Sequence, residues 1–181
     1  MEKTIQEFQE IYLICSNIFS KKLKDYGAAW RILRTESLTD QIYIKARRIR
    51  GIEVNNASKI DEGVVDEFIG IVNYSIVALI QLELGFSENI DISAEQAEIA
   101  YKVYFDKALD LMTRKNHDYG EAWRNMRVSS FTDLILMKLH RTKQIEDNAG
   151  ATLISEGVDA NYYDMLNYAV FALIKLQLTQ E

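Results

Sequence analysis

Proline is absent from the 181 residues and glycine occurs only eight times. Both residues interrupt helices, proline by removing a backbone donor and glycine by its conformational freedom, so their scarcity favours long uninterrupted helices. The single cysteine, Cys15, excludes a disulfide within the chain, and its place on an apolar helix face suits a small buried hydrophobe. The two histidines, His117 and His140, have no cysteine nearby and so form no zinc-binding pattern. Positive charge is in deficit: 21 Lys and Arg against 27 Asp and Glu leave −6. That argues against general DNA binding, whose affinity comes from cations displacing counterions from phosphates. The most apolar run, Ile69 to Leu84, is interrupted by Asn73 and Glu83 and is shorter than the ~20 residues a membrane span needs. The amino terminus mixes acids with its apolar residues, unlike an export signal, so the expectation is a cytoplasmic protein without a membrane segment.

What the chain has instead is repetition. Asp25-Tyr26-Gly27-Ala28-Ala29-Trp30-Arg31 returns 93 positions later as Asp118-Tyr119-Gly120-Glu121-Ala122-Trp123-Arg124. Across 25–53 and 118–146, 15 of 29 residues are identical, too many for chance. One inserted residue carries the register on from Glu62-Gly63-Val64 to Glu156-Gly157-Val158 and from Asn73-Tyr74 to Asn167-Tyr168. The expectation is an all-α, internally duplicated helical bundle with pseudo-twofold symmetry, the repeats 1–85 and 93–181 together forming one compact domain. The sequence leaves the number of chains open, a homo-oligomer included.

Each repeat divides into three helices. Ile5, Phe8, Ile11, Tyr12, Cys15, Ile18 and Phe19 recur at steps of three and four, the period of one apolar helix face, and predict a helix from about Lys3 to Lys24. Its counterpart opens at Ser93, whose spacing to Gln96 makes a capping box. Second helices are expected after Ser37 and Ser130, with Asp40 and Asp133 complementing the first turn. Third helices are expected over about 61–84 and 155–178, with loops at 51–59 and 148–151 and a connection at 85–92. The third helices should pack centrally, burying Ile69, Val72, Ile76 and Ile80 in one repeat and Tyr163, Leu166, Val170 and Ile174 in the other.

Two groups of residues can carry chemistry. On the third helix of the second repeat, Glu156, Asp164 and Asn167 fall within roughly 80° of one another at ~100° per residue. Converging carboxylates suit a hard cation such as Mg²⁺, which keeps waters and takes phosphate oxygens in its remaining positions. Glu156 and Asp164 are therefore the candidate metal ligands and, with Asn167, the candidate catalytic set; Glu62, Asp66 and Asn73 are their first-repeat equivalents. Lys45 and Arg48, like Lys138 and Arg141, stand three apart on one face and suit phosphate oxygens or the third-helix acids. The corner elements add Lys22, Asp25 and Trp30, and Lys115, Asp118, Tyr119 and Trp123. Their aromatic rings either stack on a base or plug the bundle.

These elements, Lys-x-x-Asp-Tyr-Gly-x-Ala-Trp, a second-helix Lys-x-x-Arg and a third helix of spaced acids followed by Asn-Tyr, resemble the first type of nucleotide-modification-associated domain. That family is similar to the MazG-like all-α nucleotide pyrophosphohydrolases. The resemblance implies a nucleotide or modified-nucleotide ligand and Mg²⁺-assisted cleavage between the α and β phosphates. A noncatalytic sensor or adaptor and a structural helical partner are the rival readings. Each repeat lacks a different acid of the pattern: Gly70 replaces one in the first and Ala160 another in the second. The Glu-x-x-Glu of MazG-like enzymes has no counterpart in either second helix. The second repeat, which keeps the deeper Asp164 beside Asn167, is expected to hold the stronger site.

Overall fold

The computed structural model describes residues 1–55 and 60–178, with residues 60–62 described by backbone alone. The apolar periodicity of the amino terminus becomes α1 (Glu2–Tyr26), which buries Phe8, Ile11, Cys15, Phe19 and Leu23 along one stripe. After a short 3₁₀ corner at Ala29–Ile32 come α2 (Thr35–Val54) and α3 (Ile60–Leu84). The second repeat follows the same order: α4 (Ala94–Tyr119), a corner at Ala122–Asn125, α5 (Val128–Asp147) and α6 (Val158–Leu173). A π-helical turn, Ile174–Leu178, extends α6. No strand occurs among the described residues, and the protein is all-α.

The capping box of Ser93 and Gln96 is formed at the start of α4. The second helices depart from expectation. They begin at Thr35 and Val128, so Ser37 and Ser130 lie inside the first turn, and Arg34 and Arg127 occupy the cap positions without a side-chain cap. α2 also runs through Gly51 to Val54, where a loop was expected. The expected loop residues 56–59 lie outside the described residues. α6 starts three residues later than expected, which leaves Glu156 in the preceding loop rather than on the helix.

α3 and α6 pack against each other; α3 also packs on α1, α2 and α4, and α6 on α1, α4 and α5. All six helices contribute to a single hydrophobic cluster, from Phe8 and Leu38 to Phe131 and Tyr162. Of the eight apolar positions expected in the core, seven are buried; Tyr163 is half-buried. The apolar stretch of α3 is longer than its sequence suggested. Gly63–Leu84, 22 residues, is long and apolar enough to cross a membrane by length and composition, yet most of its apolar side chains are buried within the bundle, as a core helix requires. Cys15 is fully buried, and burial pushes its thiol far above the ordinary range, which removes the reactive thiolate.

The contact between α2 and α5 is reciprocal. Lys143 pairs with Asp40 at 2.7 Å, and Arg50 with Asp133 at 3.2 Å. Thr39 donates to Glu146 at 2.7 Å, and Thr132 to Glu53 at 2.8 Å. In both sets each member stands 93 residues from its counterpart, so the two repeats exchange the same contacts. Asp40 and Asp133 therefore serve the junction between repeats, where their first-turn position had suggested capping. These ion pairs are exposed and contribute at most about 1 kcal/mol each.

Burial pushes the Glu53 and Glu146 carboxyls above the ordinary 4.5, while the threonine hydroxyls pull in the other direction. A carboxyl with a raised folded pKa leaves the folded state holding more protons in that window, so its contribution turns unfavourable as pH rises through the folded pKa. Glu146→Gln keeps an acceptor for Thr39 without the charge. Its stability relative to the wild type should therefore climb as pH rises from 4.5 toward neutrality. A pH-independent difference in urea denaturation would show that the charge is already fully solvated.

Candidate functional site

Both repeats place a glycine of positive φ at the corner, followed by Ala28 at φ −82° in one repeat and by Glu121 at φ 57° in the other. α1 ends at Tyr26 with Gly27 at φ 65°, and α4 at Tyr119 with Gly120 at φ 57°, left-handed values that a side chain disfavours. The turn then presents Trp30 or Trp123. From here the repeats diverge. Trp123 is buried, stacked on Phe171 at 4.3 Å with an 11° tilt, and the Arg124 guanidinium lies 4.5 Å from its ring centre. The residue 94 positions before Phe171 is Val77, so Trp30 lacks that stacking partner, and among the rings of the described residues it meets Phe19 alone, at 6.3 Å. The smaller side chain leaves a cavity of about 510 Å³ between the corner, α1, α2 and α3. Trp30, Tyr26, Tyr74, Lys22, Lys45 and Asn73 line it, as do Asp66 and Glu67.

The acids and cations meet differently in the two repeats. In the second, Asp164 is buried, with Oδ1 accepting from Lys115 at 2.7 Å and Oδ2 paired with Lys138 at 2.6 Å. Burial opposes the Lys115 charge, but the bond to Asp164 and the field of that carboxylate hold the ammonium above its ordinary 10.5. The stabilisation from this pair is thus fully present below 10.5 and lost as pH rises through the higher folded value. In the first repeat the position of Asp164 is Gly70. Lys45 lies across it, so that a Cβ on Gly70 would sit 2.5 Å from the Lys45 Cε. The Lys45 ammonium reaches Glu67, one turn away, at 3.4 Å, and Arg48 holds the same carboxylate at 2.7 Å. Glu67 did not stand out in the sequence, because the repeat register aligns it with Asn161. The available signal was that Lys45 and Arg48 need a carboxylate on the facing helix and Gly70 offers none.

The asparagines are structural on their donor side. Asn73 Nδ2 donates to the Cys15 carbonyl and Asn167 Nδ2 to the Ala108 carbonyl, each at 3.3 Å, tying α3 to α1 and α6 to α4. Tyr101 donates to Asn73 Oδ1 at 2.7 Å, whereas Asn167 Oδ1 is buried without a partner among the described residues. The residue 93 positions before Tyr101 is Phe8, which has no hydroxyl to offer.

Glu156 is exposed and lines a surface groove with Lys138 and Arg141, and a second with Lys115, each of about 700 Å³. Exposed loop residues such as Leu153 and Ile154 form much of the first groove. Asp164 belongs to neither groove, so Glu156 and Asp164 stand in different settings around Lys138. Asp25, Asp118 and Tyr119 are exposed and line none of these hollows. The ring-lined cavity is in the first repeat, where the weaker site was expected.

Magnesium fits this donor set poorly. Both Asp164 oxygens are held by lysines, Glu67 is held by Arg48 and Lys45, and among the described residues no three His, Cys, Asp or Glu side chains cluster as ligands. The Glu62 side chain, an expected ligand, lies outside the described residues.

Fold and site thus define an all-α tandem duplication with one hollow repeat, lined by rings and lysines, and one filled repeat. The family described as nucleotide modification associated domain 1 matches residues 22–82 and again 115–176, and the chain belongs to that family in two tandem copies. No curated protein and no solved structure matches the chain.

Proposed function

We propose that the first repeat binds a nucleotide or modified nucleotide in the cavity beside Trp30, and that the chain acts as a nucleotide sensor or adaptor rather than as a pyrophosphohydrolase. The observation that carries this reading is the cavity itself. It is within the size range of small-molecule sites and joins aromatic faces to two lysines, in the repeat that has Val77 where the other has Phe171 and Gly70 where the other has Asp164. Rings of this kind stack on a base whatever its identity, and ammonium groups meet phosphate oxygens. The family description, which links the chain to nucleotide modification, supports the ligand class. The hydrolytic reading is the weaker one, since both oxygens of Asp164 are taken by lysines and no three acids cluster as ligands among the described residues. The relation between the repeats is proposed to be a pseudo-twofold, on the strength of the reciprocal α2–α5 contacts.

Calorimetric titration with nucleosides and nucleotides tests the reading. One saturable site is expected, with an affinity unchanged by EDTA and no pyrophosphate released from nucleoside triphosphates in Mg²⁺. Trp30→Ala should weaken binding by about ten- to a hundredfold, the worth of one base stack. Val77→Phe, which supplies the ring that fills the second repeat, should abolish it. Release of pyrophosphate that EDTA stops would restore the hydrolytic reading, and binding indifferent to Val77→Phe would place the ligand elsewhere.

A further inference from the structure

The second repeat displays what its two lysines do when a carboxylate is supplied: Lys115 and Lys138 each take one oxygen of Asp164. Their first-repeat equivalents, Lys22 and Lys45, line one cavity, and Gly70 stands at the position of the carboxylate. Lys22 makes no ion pair among the described residues. Lys45 has only its 3.4 Å contact with Glu67, whose charge Arg48 already holds at 2.7 Å. Neither lysine is committed to a strong internal partner. Their aliphatic stems pack along the cavity, while the ammonium groups retain hydrogen-bond donors that a short anion can use. The carboxylates facing them are Glu67, neutralised by Arg48, and Asp66, exposed beside the cavity.

Resting on the nucleotide-binding reading above, we infer that Lys22 and Lys45 form an anion subsite for the phosphate of the ligand, and that Asp164 is the built-in occupant of the matching position in the second repeat. The phosphate takes the place of the missing carboxylate: Lys45 swings from Glu67 toward it, and Lys22 closes from the end of α1. The site needs no metal, because the two ammonium groups balance the charge directly. It also explains why one repeat can bind and the other cannot. In the second repeat the ring pocket is filled by Phe171 and the anion position by Asp164.

Titration of the whole chain with adenosine, cytidine, guanosine and uridine and with their 5′-monophosphates separates the two ideas. In the wild type at least one monophosphate should bind about tenfold or more tightly than its nucleoside, as expected for charge-assisted hydrogen bonds. Gly70→Asp supplies the internal carboxylate and should erase that preference while nucleoside binding persists. The nearest atoms to its new Cβ belong to the flexible end of Lys45. Gly70→Ala displaces Lys45 in the same way without a carboxylate, and should keep most of the preference. Lys22→Gln, at an exposed position, should reduce the preference without affecting the fold. If nucleosides and monophosphates bind equally, or if Gly70→Asp and Gly70→Ala act alike, the anion subsite is wrong and the ring pocket survives. If none of these probes binds the wild type, both readings fall.

Discussion

Replacing Arg31 with alanine should lower the unfolding free energy by about 3–5 kcal/mol, the cost of breaking a buried, hydrogen-bonded charge network from one side. The guanidinium is only 3% exposed. It donates to Asp91 at 2.8 and 3.1 Å, to the Gly85 carbonyl at 2.6 Å, and to Gln81. Those bonds clamp the corner after α1 to the end of α3 and to the connection between the repeats. Arg124, its counterpart, is half-buried and reaches Thr4 and Glu7 on α1 instead, both at 2.6 Å. Arg124→Ala should therefore cost less, about 1.5–3 kcal/mol, the scale of hydrogen bonds to charged groups. Urea denaturation of the two variants decides the matter, and equal losses would mean that burial of Arg31 adds nothing.

Asp164→Ala should be comparably damaging, by about 3–5 kcal/mol, because it leaves Lys138 nearly buried without its counter-ion. The side-chain exposures are 13% for Lys138 and 10% for Asp164, so little solvent can take over the role of the carboxylate. The half-exposed Lys115 should contribute less to the loss. Adding Lys138→Met to Asp164→Ala should recover much of it, since an apolar side chain of similar length needs no partner. A double variant no more stable than Asp164→Ala alone would show that the damage comes from an unfilled volume and not from the stranded charge.

The helical architecture was legible because its signals are local. A chain without proline, apolar at steps of three and four, has few alternatives to long helices, and the α1 stripe and the Ser93 cap follow from neighbouring residues alone. The starts of α2 and α5 were less legible, because each segment offers more than one polar residue near its start. Thr39, Thr132, Asp40 and Asp133 are occupied across the junction between repeats, a role no local pattern announces. At the site, the sequence named Lys45, Lys138 and Asp164 as partners in a shared chemistry, and the geometry brings Lys138 and Asp164 together. The hollow itself was hidden. It lies beside Val77, which is smaller than Phe171, and whether a smaller side chain leaves a cavity or the site closes up depends on how neighbouring helices are held. Glu67 was missed for a related reason: Lys45 reaches sideways to the next turn when its registered partner is absent.

The residues between Leu84 and Ala94 join two repeats that meet by mutual exchange of the same contacts. In an assembly of two identical chains every substitution is struck twice, so a change that hollows one half hollows the other and its cost is doubled. Covalent linkage removes that constraint, and it keeps the partner present at an effective concentration independent of how much protein the cell makes. One half can then lose a ring and a carboxylate while the other retains both. A solid repeat can thereby stand beside one that carries a cavity within the same chain.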